Sequence, residues 1–344
     1  MRLPRLVLAA LVAAGPALAQ VPAPASAPAP FRFAAFGDMP YCQPDMPQDC
    51  PDQEARVARL MREVNAARPV HTIFLGDTKG GAEICSDDRL LRAFTFFGLL
   101  NHPLVYTPGD NEWTDCWQDR AGRFDPLERL ALLRARFFAD DRPLGGGDRR
   151  PLEWQGRVDP RFRTHVENAR WRQGGVLFAT LHVTGSNNNR PTEPGEGPAI
   201  FPPPGAREEF EQRDAANTAW LRDAFAIATR EGLPAVVLAI QADLFYVQRC
   251  GRPGRTGQDS GFRAFREVLV AEARAFGRPV LLLHGDSHFL LHDRPVPEAP
   301  NLTRLMVPGD RETRAVVVDV TPGAADPWAV SLVGPDDRVM PNRC

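Results

Sequence analysis

Four Gly-Asp dipeptides in this chain stand at the ends of short apolar runs. Phe31–Phe36 leads into Gly37-Asp38, His71–Leu75 into Gly76-Asp77, Pro103–Thr107 into Pro108-Gly109-Asp110, and Pro279–His284 into Gly285-Asp286. Runs of this length, rich in Val, Leu, Ile and Phe, read as buried strands. In an open α/β sheet a ligand binds beyond the carboxyl ends of the strands. Gly lets the backbone turn sharply there, and Asp supplies a hard anionic oxygen. Four carboxylates gathered on one sheet edge repel each other unless a cation sits between them. The pattern therefore predicts a divalent-metal site. Gly-Asp is also a common turn dipeptide, and Gly147-Asp148 and Gly309-Asp310 read as plain turns of that kind.

Helices must separate these strands. Gln53 to Ala67 carries Val57, Leu60, Met61 and Val64 on one face, the spacing of an amphipathic helix. Asp88 to Leu100, Pro126 to Phe138, Arg207 to Glu231 and Phe262 to Phe276 read the same way. Ala139 to Gln173 reads as a long, polar, Arg-rich loop. Gly175 to Val183 is a further strand ending in Gly185-Ser186-Asn187-Asn188-Asn189, and Pro234 to Ile240 is one ending in Gln241-Ala242-Asp243. Arg190 to Gly205 is Pro/Gly-rich and reads as a surface excursion. Three late strands, about Thr303 to Val307, Arg314 to Val320 and Trp328 to Val333, are joined by short turns that suggest an antiparallel flank.

The first nineteen residues read as a cleaved secretory signal. Arg2 and Arg5 flank the apolar stretch Leu6 to Ala14, and Ala17-Leu18-Ala19 is an A-x-A cleavage site. Residues 20–30 are a Pro/Ala-rich linker, and 31–344 form the folded domain. The expectation is a periplasmic or secreted protein with no membrane span. Of 344 residues, 43% are hydrophobic, enough for a substantial core. The formal charge of -2 falls to about -4 once Arg2 and Arg5 are removed, which argues against nucleic acid or anionic membrane as a partner. Six cysteines, Cys42, Cys50, Cys85, Cys116, Cys250 and Cys344, favour disulfides in an exported chain. No C-x-x-C pair offers a zinc ribbon. Fifteen connectivities are possible. The favoured set is Cys42–Cys50, closing a short loop after Asp38, Cys85–Cys116, tying the loops after Asp77 and Asp110, and Cys250–Cys344.

The motif order is Gly-Asp, Gly-Asp, Gly109-Asp110-Asn111-Glu112, a strand-end polar residue, then Gly285-Asp286-Ser287-His288. It resembles the calcineurin-like metallophosphoesterases over roughly Phe31 to Arg294. The resemblance implies a metallophosphoesterase-like four-layer α/β/β/α sandwich with mixed sheets. It also implies two metal ions at the strand ends and in-line attack on a small phosphoester. Asp38 matches the first ligand Asp, and Pro40 stands where that motif has His. Asp77 matches the bridging Asp. Asp110 and Asn111 replace the Asn and His of the third motif. Gln241 falls where a ligand His is expected. Asp286 replaces the first His of the last motif, and His288 is kept. The implied ligands are thus Asp38, Asp77, Asp110, Gln241, Asp286 and His288. The replacements exchange imidazole for oxygen, which suits Mg, Mn or Ca rather than zinc.

Lys79 is the only lysine among 41 basic residues, and it lies two residues past Asp77. A compact cation there could contact a phosphate, stand in for an under-liganded metal, or be a solvated loop lysine. With Asn111 it is the catalytic candidate. Asn187 and His182 are candidate substrate contacts. Tyr41, Trp113 and Trp117 could wall the pocket or simply pack. Three readings stay open: a metal-dependent phosphoesterase, a catalytically weak or inactive binding protein on the same fold, and a Ca-stabilised structural domain.

Overall fold

The computed structural model describes residues 28–42, 50–193, 205–246 and 259–335. The predicted signal segment, most of the Pro/Ala-rich linker, Cys250 and Cys344 lie outside the described residues.

Thirteen strands among the described residues fall into two sheets. They are β1 (Phe31–Phe36), β2 (Thr72–Phe74), β3 (Pro103–Tyr106), β4 (Leu144–Gly145), β5 (Glu153–Trp154), β6 (Ala169–Gln173), β7 (Val176–Thr180), β8 (Val236–Ala239), β9 (Val280–His284), β10 (Leu291–Asp293), β11 (Leu302–Met306), β12 (Ala315–Val320) and β13 (Trp328–Val333). One sheet has the order β13-β12-β1-β2-β3-β4, the other β10-β11-β9-β8-β7-β6-β5. The pairs β1–β2 and β2–β3 in the first, and β7–β8, β8–β9 and β9–β11 in the second, are parallel. Antiparallel strands flank both, so the sheets are mixed.

The two-residue period of each strand assigns its side chains to different layers. Phe33, Ala35, Ile73 and Leu75 from the first sheet meet Phe178, Val237, Leu281 and Leu283 from the second, forming the core between the sheets. The alternate residues Ala34, Phe36, Phe74 and Leu104 pack outward against helix α1 (Cys50–Ala67), the short helices Asp87–Leu91 and Ala93–Phe97, and α2 (Pro126–Phe137). Leu177, Leu238 and Leu282 pack outward on the other side against α3 (Ala206–Arg230) and α4 (Ser260–Phe276). The result is the expected four-layer α/β/β/α sandwich.

Local chemistry sets the helices. Val57, Leu60, Met61 and Val64 of α1 are all buried. The Asp125 side chain accepts from Leu127 N at the start of α2, with Pro126 in the first turn. Gly277 ends α4 in the left-handed conformation.

Three expectations change. The predicted 139–173 loop contains β4, β5 and β6. Strand β6 is hidden in the sequence because a buried arginine occupies one of its inward positions. Arg170 lies over the Trp220 ring at 4.1 Å and pairs with Glu153 and Asp223, each at 2.7 Å. The predicted helix 88–100 is two short helices meeting at Arg92. Among the late strands β12 and β13 are antiparallel as expected, but β11 joins the second sheet parallel to β9.

Candidate metal centre

The parallel strands of both sheets end on one side of the sandwich, and their terminal loops carry the acidic residues. Asp38, Asp77, Asp286 and His288 all adopt left-handed backbone, with φ of 55°, 61°, 71° and 63°. Non-glycine residues rarely do so, and such strain gathers at functional sites. The glycines beside them make room. A Cβ on Gly109 would lie 2.0 Å from Asp77 Oδ1, and one on Gly285 would lie 2.1 Å from Asp38 Oδ2. No other residue fits there without displacing a carboxylate.

Asp38, Asp77 and His288 each offer one ligand atom within 4.8 Å of the other two. His288 Nε2 is 3.4 Å from Asp38 Oδ1. The Tyr41 hydroxyl sits among the three, 2.9 Å from Asp77 Oδ2, 3.5 Å from Asp38 Oδ1 and 3.3 Å from His288 Nε2. Asn111 Nδ2 donates to Asp77 Oδ2 at 2.8 Å and to Tyr41 at 3.1 Å, and Asn111 N donates to Asp77 Oδ1 at 3.1 Å. Asp110 Oδ2 accepts from Ser186 Oγ at 2.8 Å, and the same hydroxyl lies 2.6 Å from Asp115 Oδ1. Asp286 N donates to both Asp38 oxygens, and Asp286 Oδ2 accepts from Asp243 N at 3.1 Å.

The electrostatics are those of a site short of positive charge. Burial first, then Asp110, Glu112, Asp38 and Asp286, holds the Asp77 carboxyl well above the usual carboxylate range. Burial and Asp110 do the same to Asp286. Burial and Asp110 push Asp115 up to about 7. Burial opposes charge on His288, but the hydrogen bond and charge of Asp38 outweigh it and raise the ring to about 9. Burial likewise lifts the Tyr41 hydroxyl well above its ordinary value, with Asp77 and Asp38 adding to it. A divalent ion would relieve every one of these shifts. The donors present, several carboxylates with one imidazole, suit a hard cation.

The other predicted residues are placed as follows. Gln241 is fully buried and reaches the cluster through its nitrogen, which donates to Asp77 Oδ2 at 3.2 Å and Asp110 Oδ1 at 3.1 Å. Lys79 is fully buried, with Nζ donating to Gly80 O at 3.1 Å. Burial lowers its pKa against the opposing pull of Glu112, Glu83, Asp77 and Asp115. His182 is fully buried, 2.9 Å from Glu167 Oε1, with its ring edge-on to Trp113. Asn187 is fully buried as well; its amide binds Gly261 N, Ser260 Oγ and Arg190 O. Neither His182 nor Asn187 contacts the carboxylates.

Further residues take their place around the site only in the folded chain. Glu112 accepts from Thr78 N, Gly109 N and Tyr106, and so joins the loops after β2 and β3. Ser186 opens a run of four left-handed residues through Asn189, and this single left-handed turn aims its hydroxyl at Asp110. Gly309-Asp310, read as a plain turn, belongs to the site. A Cβ on Gly309 would lie 2.4 Å from Asp38 Cβ, and Asp310 N donates to Asp38 O at 2.8 Å. Disulfides Cys42–Cys50 and Cys85–Cys116 form as expected and brace the loops around Tyr41, Lys79 and Asn111.

No family model and no curated protein sequence matches the chain. Two solved structures are similar to it. One is a purple acid phosphatase from yellow lupin seeds, at 12% identity and a TM-score of 0.50; the match covers 91% of this chain and 53% of the lupin chain. The chain therefore spans about half the length of that enzyme. The other is a dimetal phosphatase from Danio rerio, at 10% identity and a TM-score of 0.50, covering 87% of this chain and 98% of that one. With its two mixed sheets and its outer helices, this chain shares the fold of these two phosphatases, the metallophosphoesterase-like sandwich expected from the sequence.

Proposed function

We propose that the protein is an exported, metal-dependent phosphoester hydrolase. The observation that carries this reading is the buried acid cluster at the ends of the parallel strands, where Asp38, Asp77 and His288 converge within 4.8 Å. These three would hold a divalent ion, Mg, Mn or Ca, with Asp110 and Asp286 beside it. When bound, such an ion supplies Lewis-acid stabilisation of charge on a phosphoryl oxygen. The chain's own groups orient the rest. Tyr41 and Asn111 fix the Asp77 carboxylate through hydrogen bonds at 2.9 and 2.8 Å. Asn111, whose two amide hydrogens serve Asp77 and Tyr41, cannot act as a general acid. Good leaving groups should therefore be preferred. Lys79, buried within the loop after Asp77, supplies positive charge toward Glu112 and Asp115 rather than direct contact with substrate. Export is supported by the signal-like N-terminus and by the two disulfides. No helix among the described residues is long and apolar enough to cross a membrane.

A second reading is favoured by the amide nitrogens of Gln241 and Asn111, both of which donate to Asp77. On that reading the chain is a binding protein that holds a metal and a phosphorylated ligand without turnover. Assaying aryl and alkyl phosphomonoesters and diesters with added Mg²⁺ or Mn²⁺ separates the two. The hydrolase reading expects metal-dependent turnover, with aryl esters well ahead of alkyl. Melting shifts with no turnover on any ester would support the binding protein instead.

A further inference from the structure

The solved structures of this fold include a dimetal enzyme, and two ions would have to share Asp77. The side chains here do not leave room for both. One potential site is the triangle of Asp38, Asp77 and His288. The other would lie between Asp77 and Asp110, and a side chain already bridges that gap. Gln241 Nε2 is 3.2 Å from Asp77 Oδ2 and 3.1 Å from Asp110 Oδ1. Its two N–H groups serve the two carboxylates, as an ion between them would.

The direction of this amide is fixed by its other end. Gly185 N is 2.5 Å from Gln241 Oε1, and Thr184 Oγ1 is 3.4 Å from the same oxygen. A backbone N–H can only donate, so the oxygen must face Gly185 and the nitrogen must face the acids. Turning the amide over, to offer its oxygen to an ion, would set N–H against N–H in a fully buried place. The side chain cannot swing aside either. Its backbone is pinned, Gln241 N donating to Val183 O and Gln241 O accepting from Gly285 N, and both ends of its amide are held.

We propose that the centre is mononuclear: one divalent ion binds at Asp38, Asp77 and His288, and the Gln241 amide nitrogen occupies the place of a second. The inference rests on the metal-dependent reading above. It also assigns Gln241 a role distinct from that of an oxygen ligand: it neutralises nothing but satisfies two carboxylates by hydrogen bonds and keeps them apart.

The test is metal stoichiometry of the full chain. The protein is dialysed to equilibrium against Mn²⁺; bound metal is measured by mass spectrometry and the spin state by electron paramagnetic resonance. The expected result is one Mn²⁺ per chain with the six-line signal of an isolated ion. Two Mn²⁺ per chain with an exchange-coupled spectrum would overturn the mononuclear centre and leave the metal-dependent reading intact. No bound Mn²⁺ would overturn both. Gln241→Glu keeps the shape and the acceptor for Gly185, and puts an anionic oxygen where the nitrogen was. It should admit the second ion, doubling the metal content and bringing in the coupled signal. A folded Gln241→Glu protein that still takes one ion would overturn the part assigned to the amide.

Discussion

Stripping the metal should turn the acid cluster into a pH-dependent weakness, and the pKa shifts fix the window. Five buried histidines act on the acid side, His165 and His284 among them. Burial lowers His71 to about 3, and His102 and His182 to about 4, from an ordinary 6.5. A ring kept neutral in the fold but protonated in the unfolded chain destabilises the fold at low pH, and that loss fades as the pH climbs to 6.5. Each of His71, His102 and His182 is worth roughly 3–5 kcal/mol. Asp115 works in the opposite direction. Its carboxyl is raised from 3.8 to about 7, so its contribution is complete below 3.8 and lost as the pH nears 7, about 4 kcal/mol. Asp77 and Asp286, raised well above the usual range, act with Asp115, so carboxyls and histidines oppose each other below pH 6.5 and stability should change little there.

Above that point the histidines no longer contribute and the loss is unopposed. His288 stands at about 9, so its stabilisation is complete below 6.5 and lost as the pH passes 9. The ring is 33% exposed, and solvent screening leaves this on the order of 1–2 kcal/mol. Asp77 and Asp286, also raised, give up protons in the same direction. The metal-free protein should therefore hold its stability up to about pH 6.5 and lose it toward pH 9, on the order of 1–2 kcal/mol from His288, with Asp77 and Asp286 adding in the same direction. A bound divalent ion takes the carboxylates as anions, so the loaded protein should show little of that decline. The assay is urea denaturation of EDTA-treated and Mg²⁺-loaded protein at steps from pH 5.5 to 9. Parallel curves in the two conditions would refute the placement of the ion among these groups.

Asp77→Asn should abolish the metal-dependent rise in Tm, which for wild type amounts to about 2.7 kcal/mol at a hundred times the Kd; an unchanged thermal shift would mean that the ion binds elsewhere. Lys79→Met should destabilise the fold by roughly 3–5 kcal/mol, because it strands Glu112 and Asp115 without their buried cation. It should also lower turnover per folded molecule at least about tenfold, with Lys79→Arg recovering only part; denaturation and single-ester kinetics on the same samples decide both. Cys85 and Cys116 are 31 residues apart, so replacing both with Ser should cost about 3–4 kcal/mol in denaturant unfolding. A loss under 1 kcal/mol would show that the loop is already ordered by its other contacts.

Much of this was legible in the chain. The apolar runs of β1, β2, β3 and β9 announce themselves because a strand buried on both faces needs no polar alternation. A Gly-Asp at the end of each marks where the chain must turn and what it brings to the turn. Order along the chain was therefore enough to point to the sandwich and to Asp38, Asp77, Asp110 and Asp286. What the sequence could not determine is direction and company. Arg170 reads as a loop charge until Trp220, Glu153 and Asp223 surround it and make it part of a strand. Gly309-Asp310 reads as any turn until β11 joins the second sheet and carries it beneath Asp38. Lys79 reads as a cation free to reach a phosphate until burial encloses it. Gln241 was placed at the site by its position alone, but whether it meets the acids with oxygen or nitrogen is decided by Gly185 N, 56 residues away in the chain. Strand periodicity and turn chemistry are local properties that one segment carries by itself. Hydrogen-bond direction and burial of charge depend on groups from distant segments, and only the assembled sandwich brings them together.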